Sequence, residues 1–176
     1  MTSPFNLNEQ NSKIESKIVV ALERISEAFR VLLWNESRGN SLSPIQSQIL
    51  IFLFFHPDEK SRVGYLASEF NMTKATISDS IKALFKKGLI EKRVDSRDSR
   101  SFSIHLTAEG KAIAERASTF ASALEKPIAS LDNLQKDAML NGLLKLIHDL
   151  NQAGVITTQR MCFTCSNYRL ENGKHY

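Results

Sequence analysis

The chain has 176 residues, 23 Lys and Arg against 19 Asp and Glu, and a formal charge of +4. That length allows a sizeable buried core and most simply one domain. No apolar run approaches the ~20 residues that a membrane-spanning helix needs. The opening MTSPFNLNEQNSK has neither the basic region nor the apolar region of a signal peptide. The only cysteines are Cys162 and Cys165, near the end, so the expected location is the cytoplasm.

Taken in chain order, residues 1–12 are expected to be a flexible start. From Ile14 onward, Ile18, Ala21, Leu22, Ile25, Ala28, Phe29, Leu32 and Leu33 form a broad apolar stripe. It predicts a helix over about 13–36 with more apolar surface than one face of a small core demands. Ser43-Pro44 is a start signal for a second helix running to Phe55, since proline fits a first helical turn. Val63, Leu66, Ala67 and Phe70 recur at helical spacing and Asn71-Met72 breaks the pattern. Thr73 then stands where an N-cap belongs, its hydroxyl able to accept from free backbone N–H groups. Behind it Ile77, Ile81 and Leu84 make one apolar stripe. The other face carries Thr73, Lys74, Thr76, Ser78, Asp79 and Lys82. Short hydroxyl side chains permit close approach, and lysine reaches phosphates or a guanine edge, so this face suits a major groove. Alone, it reads equally well as a solvated surface.

The next residues separate these readings. Gly88 stops the helix, Leu89-Ile90 opens a strand ending at Val94, and Asp95–Arg100 is a turn-rich charged tip. Phe102, Ile104 and Leu106 alternate with polar residues in a return strand, and Thr107-Ala108-Glu109 caps a further helix. Arg93, Arg97 and Arg100 thus share one hairpin, and arginine is favoured in a narrow minor groove. Asp98 can hold Arg100 while another arginine reaches outward. Helix, turn, helix and charged hairpin together are the layout of a winged helix-turn-helix, which reads duplex DNA. Charge agrees: residues 60–105 hold ten Lys/Arg and five Asp/Glu, so this segment is +5 and the rest of the chain −1. A surplus placed there suits a protein that displaces counterions from phosphates.

Beyond the hairpin, Ala112–Leu124 reads as helical, with Pro127 ending or bending it. Asp132-Asn-Leu-Gln135 is a capping pattern for a last helix that carries Met139, Leu140, Leu143, Leu144, Ile147 and Leu150. The expected fold is mainly α with a small β-hairpin wing: a winged helix-turn-helix flanked by N- and C-terminal helices. Its DNA-binding lobe covers about 43–107, its flanking helices about 13–36 and 108–151, and a tail follows from 154 to 176.

At Leu66-Ala67, Ala75-Thr76-Ile77-Ser78, Gly88-Leu89-Ile90, Arg93, Asp98-Ser99-Arg100 and Leu106-Thr107-Ala108-Glu109-Gly110, the sequence resembles the MarR family of transcriptional regulators. It departs from the family pattern where Ile77 replaces valine and Ser99 interrupts the usual Asp-Arg-Arg, and neither change removes a hairpin charge. The motif covers about 45 residues, and the helix order extends the likeness over about 13–153. The resemblance implies that the terminal helices interleave in a homodimer whose two recognition helices meet a pseudo-palindromic operator. It also implies a small-molecule effector, often aromatic, held between the dimer helices and the DNA-binding lobe. Phe29, Trp34, Phe52, Phe55 and His56 are candidates to line such a cleft, though large aromatics at helical spacing are also ordinary core. The family's peroxide-sensing branch uses a cysteine near the N-terminus, and this chain has none before Cys162.

The tail lies past that pattern. Cys162-x-x-Cys165 sets two thiolates within reach of one tetrahedral zinc, and His175 supplies a third ligand. A thiol–disulfide switch and two inert cysteines are the competing readings. Three ligands leave a structural site one short, with His148, a dimer partner, water or further residues as sources of the fourth. No Gly-rich phosphate loop, Gly-x-Ser-x-Gly elbow or His-Glu-x-x-His motif is present, so nothing in the sequence supports an enzyme. The sequence reads as a dimeric, repressing, DNA-binding regulator released by a small molecule or a metal or redox signal. A winged helix used for protein contacts is the alternative.

Overall fold

The computed structural model describes residues 3–95, 98–158, 170–171 and 174–175, with side chains described for 3–93 and 102–158. The element order is α1 (Leu7–Ser12), α2 (Ile14–Gly39), α3 (Pro44–Phe55), a 3₁₀ turn (Asp58–Lys60), α4 (Val63–Glu69) and α5 (Lys74–Lys86). The hairpin strands β1 (Ile90–Asp95) and β2 (Asp98–Leu106) follow. Then come α6 (Ala108–Ala117), a second 3₁₀ turn (Ser122–Leu124), α7 (Glu125–Ala129), α8 (Asn133–Gln152), and the short strands β3 (Leu170–Glu171) and β4 (Lys174–His175). No described helix is long and apolar enough to cross a membrane.

Local side-chain chemistry fixes most of these boundaries. Ser43 and Gln46 exchange side-chain and backbone bonds in a capping box at the start of α3, and Asp132 and Gln135 do the same for α8. Thr73 caps α5 and Thr107 caps α6, each hydroxyl accepting from the backbone N–H three residues on. Residues 7–12, expected as a flexible start, form α1, where the Asn6 side chain accepts from Asn8 N–H. The expected 112–124 helix stops early. The hydroxyls of Ser118 and Thr119 donate to the carbonyls of Glu115 and Arg116, drawing off the last turn of α6. Pro127 then lies in the first turns of α7 rather than ending a helix, at a position where its missing N–H has no intrahelical partner to lose.

The core lies in the segment from α3 to α6. Ile49, Leu50 and Phe52 of α3 pack with Leu66 of α4, Ile77, Ile81 and Leu84 of α5, Ile90 and Ile104 of the hairpin, and Ile113 and Ala114 of α6. The strands are antiparallel with Ile90 opposite Leu106, Lys92 opposite Ile104 and Val94 opposite Phe102. The buried Ser61 meets the outer edge of β2 through one backbone bond, its carbonyl accepting from Ile104 N–H at 2.9 Å. The turn from α5 into β1 uses Gly88 at φ +72°, a left-handed conformation cheap for glycine. One polar contact joins α2 to this core. Ser37 Oγ donates to Leu33 O at 2.6 Å and lies 2.9 Å from Ser47 Oγ, with both hydroxyls buried.

The outer helices are different. Leu144 is the one buried residue of α8, and α2 buries Leu33 and two serines. Ile14, Ile18, Ile25 and Phe29 of α2 and Met139, Leu140, Leu146 and Leu150 of α8 all stand exposed.

Candidate nucleic-acid interface

The core forces one face of α5 outward. With Ile77, Ser80, Ile81 and Leu84 buried, Thr73, Lys74, Thr76, Asp79 and Lys82 stand exposed and Ser78 is half-buried beside them; Ala75, Phe85 and Lys86 are exposed as well. The structure therefore gathers all six sequence-selected residues on one surface. Ser80 is withdrawn from it, bonding back to Thr76 O at 3.0 Å. At the amino end, Thr73 Oγ1 accepts from Thr76 N–H at 3.1 Å and lies 2.9 Å from Thr76 Oγ1, so the two hydroxyls hold each other in place. Further along, Lys82 Nζ is 3.0 Å from Asp79 Oδ1 with both side chains well exposed. An exposed pair of this kind is weak and gives way readily to a phosphate or base edge. Asp79 itself is an acceptor, the chemistry that suits a cytosine amino group.

The wing root carries charge on both faces. Arg93 forks onto the Glu91 carboxylate at 2.6 and 2.9 Å, a pair exposed to solvent. Lys92, not selected from the sequence, lies on the opposite face with its ammonium 4.8 Å from the Phe102 ring centre and 5.5 Å from that of Phe85. Strand alternation from Ile90 is the signal that finds it. Arg97 lies outside the described residues, as do the side chains of Asp98 and Arg100, so the Asp98–Arg100 pairing falls outside them too.

Of the five aromatic residues selected for an effector cleft, Phe52 and His56 meet each other, but the five do not line one cleft among the described residues. Phe52 is core, stacked 3.8 Å from the His56 ring, and His56 Nδ1 lies 2.9 Å from Phe52 O. Phe55 and Trp34 are 62% and 49% exposed. Phe29 lines a groove, about 700 Å³, that runs between α2, the α6–α7 connection and α8. Helical spacing signals that a residue faces a neighbour, not which neighbour, and here the partners differ. A second cleft of about 420 Å³ lies at the wing root, where Asp58, Arg93, His105 and Lys111 surround a floor that includes Leu53 and Ile104. His105 is nearly buried there, with Nδ1 3.4 Å from Asp58 Oδ1 and Nε2 2.8 Å from Ser103 Oγ.

Cys162 and Cys165 lie outside the described residues, as does the His175 side chain. Among the described residues no cluster of three His, Cys, Asp or Glu side chains is arranged to hold a metal.

Comparison with known proteins agrees with this geometry. The MarR family model matches residues 40–101, from the end of α2 into the return strand of the wing. The chain is 33% identical over 100 residues to the HTH-type transcriptional repressor YetL of Bacillus subtilis (strain 168), an alignment covering 57% of this chain. It spans about 60% of that relative's length. Among solved structures it is similar to S. aureus MepR in a DNA complex, with TM-score 0.66 and 22% identity over 75% of this chain and 97% of that one. It is also similar to a MarR-family transcriptional regulator from Silicibacter pomeroyi, with TM-score 0.64 and 22% identity over 82% and 96%. At such identity these structures establish the fold. The sequence pattern, the matched segment and the winged-helix architecture coincide on the same residues, and over residues 40–101 the chain is similar to the MarR family.

Proposed function

We propose that this protein is a homodimeric transcriptional repressor that binds a pseudo-palindromic operator through α5 and the wing. The observation that carries the reading is the outward face of α5: capped, lined by short hydroxyl side chains at its amino end, bearing Lys74 and Lys82, and fixed in direction by a buried opposite face. The repressor YetL and the DNA-bound MepR are the relatives that support it. Dimerisation is supported by the exposed apolar residues of α2 and α8, more than a monomer of this size leaves to water without a use. A two-fold dimer would set its recognition helices about one DNA turn, ~34 Å, apart.

Selection from a random duplex pool tests this. The expected product is a pseudo-palindrome bound with affinity falling about 10³-fold between 50 and 200 mM salt. Lys74→Ala and Lys82→Ala should each reduce the slope of log affinity against log salt by about one. Recovery of no preferred duplex, with slopes unchanged by these variants, would turn the assignment to a protein-interaction module. Zinc at Cys162, Cys165 and His175 belongs to the reading on the strength of the Cys-x-x-Cys spacing. Operator binding that ignores a chelator removes it from the switch.

Release by a small molecule is part of the same proposal, and the wing-root cleft supports it. A guanidinium, an ammonium and an imidazole ring over apolar carbon suit an anionic aromatic compound. Occupancy would compete with Glu91 for Arg93 and so act on the wing directly. Addition of aromatic carboxylates at millimolar concentration is expected to weaken operator binding. Arg93→Ala protein titrated at salt low enough to retain DNA should lose that response, and an equal response in both proteins would remove the cleft from the mechanism.

A further inference from the structure

The end of α8 is tied to the turn of the helix-turn-helix by three hydrogen bonds that cross 84 to 90 residues of chain. Helix α8 closes on Gly154 at φ +72°, with Val155 N–H bonded to Leu150 O and Gly154 N–H to Asn151 O, both at 2.9 Å. This is the double bond pattern of a left-handed glycine cap, and it turns the chain sharply. The Asn151 side chain then donates to Ile156 O at 2.9 Å, holding the first residues after the turn. From there the segment meets the DNA-binding lobe. Asn71 Nδ2 donates to Val155 O at 3.3 Å, Thr158 Oγ1 donates to Ser68 O at 3.4 Å, and Thr157 Oγ1 donates to the same carbonyl.

The receiving group has a particular position. Ser68 O is among the last carbonyls of α4, outside the regular bonding of the helix, and accepts locally from Asn71 N–H at 3.2 Å and from the Phe70 cap N–H. Asn71 carries the left-handed residue of the turn, at φ +52°, two residues before the Thr73 cap of α5. Bonds to Ser68 and Asn71 therefore act on the piece of backbone that sets where α5 begins. They come from the helix whose exposed apolar residues carry the proposed dimer contact.

We propose that Val155–Thr158 is a strap that braces the helix-turn-helix against α8, making Asn71, Thr157 and Thr158 positioning residues for the recognition helix. This rests on the DNA-binding reading for its purpose, but the brace itself is a property of the free protein. A shift of α8 on a dimer partner would pull on Ser68 and Asn71 and change the pose of α5 without any ligand touching the DNA-binding lobe.

The test uses the full-length triple variant Asn71→Gly, Thr157→Val, Thr158→Val, which keeps the turn's left-handed backbone accessible and the threonine shapes nearly constant. Amide hydrogen exchange in the free protein is expected to speed up about tenfold over residues 68–77 and to stay unchanged in the wing and α6. Operator affinity is expected to fall three- to tenfold with the salt slope unchanged. A chain ended after Gly154 should reproduce the exchange change. Unchanged exchange over residues 68–77 in both proteins overturns the strap, whatever the DNA result. Faster exchange in a protein that binds no duplex keeps the strap and sinks the operator reading instead. A lowered salt slope in the triple variant would overturn bracing in favour of direct phosphate contact by the segment.

Discussion

Replacing Gly110 with alanine is expected to destabilise the protein by about 3 kcal/mol, the upper range for overpacking a closed site. A Cβ there would stand 1.9 Å from Leu89 O and 2.9 Å from Leu89 C, both backbone atoms that no rotamer change can move. The approach is enforced on both sides. Thr107 donates its hydroxyl proton to Gly88 O at 2.8 Å and its N–H to Leu89 O at 3.1 Å, so the start of α6 is stitched to the chain entering the wing. Relieving the clash would move α6 or β1, and both carry core residues in Ile90, Ile113 and Ala114. For a chain of this length the loss corresponds to a melting temperature lower by roughly 6–12 °C. Gly142 is the control. It lies inside α8 with nothing within 4 Å of an added Cβ, so Gly142→Ala should be neutral or stabilising by up to about 1 kcal/mol. Calorimetry of the two variants decides the matter. Equal melting temperatures would mean that the contact between Leu89 and Gly110 is looser than this geometry.

The second large effect concerns association. Leu146 is 41% exposed on α8 and takes no part in the core of the DNA-binding lobe. It lies on one helical seam with Met139, Leu143 and Leu150, and Ile18, Leu22, Ile25 and Phe29 form the matching seam on α2. Met139, Leu143, Leu22, Ile25 and Phe29 face the same apolar groove. In the proposed homodimer Leu146→Glu places a carboxylate in each half of a two-fold interface, so the cost enters twice. Sedimentation at micromolar concentration is expected to show monomer. Operator affinity should fall roughly a hundredfold because one half-site no longer recruits the other. The helical content of the variant should match that of the parent. A variant that stays dimeric would move the interface away from the C-terminal half of α8.

The parts of this molecule legible in its sequence are those decided within four residues. Ser43, Thr73, Thr107 and Asp132 act as caps because an oxygen at the right offset meets an orphan N–H, and that offset is written in the chain. Gly88 was readable for a similar reason, as was the buried face of α5. What escaped depends on distant partners. Ser61 bonds to the edge of β2 only because Ile104 arrives beside it, and nothing around Ser61 signals that contact. The separate fates of Phe29, Phe52 and Phe55 depend on which element each meets, which periodicity does not encode. The early end of α6 was written in Ser118 and Thr119, but hydroxyls that bond backward are easily taken for helix interior. The docking of residues 155–158 spans too much chain for any local pattern to announce it.

The buried hydroxyls of Ser37 and Ser47 have a bearing on how the two lobes can rearrange. Each hydroxyl has a single proton. Ser37 Oγ is the donor toward both Leu33 O and Ser47 Oγ, its one proton shared between the two acceptors, so the contact has a direction as well as a distance. Apolar side chains at the same crossing would let α2 roll on α3 by small increments, each nearly equal in energy. A dry polar pair penalises every intermediate angle at which the donor has lost its acceptor. The junction is therefore indexed. Motion of the long helix against the DNA-binding lobe should occur as a switch between a few seated arrangements rather than as continuous drift.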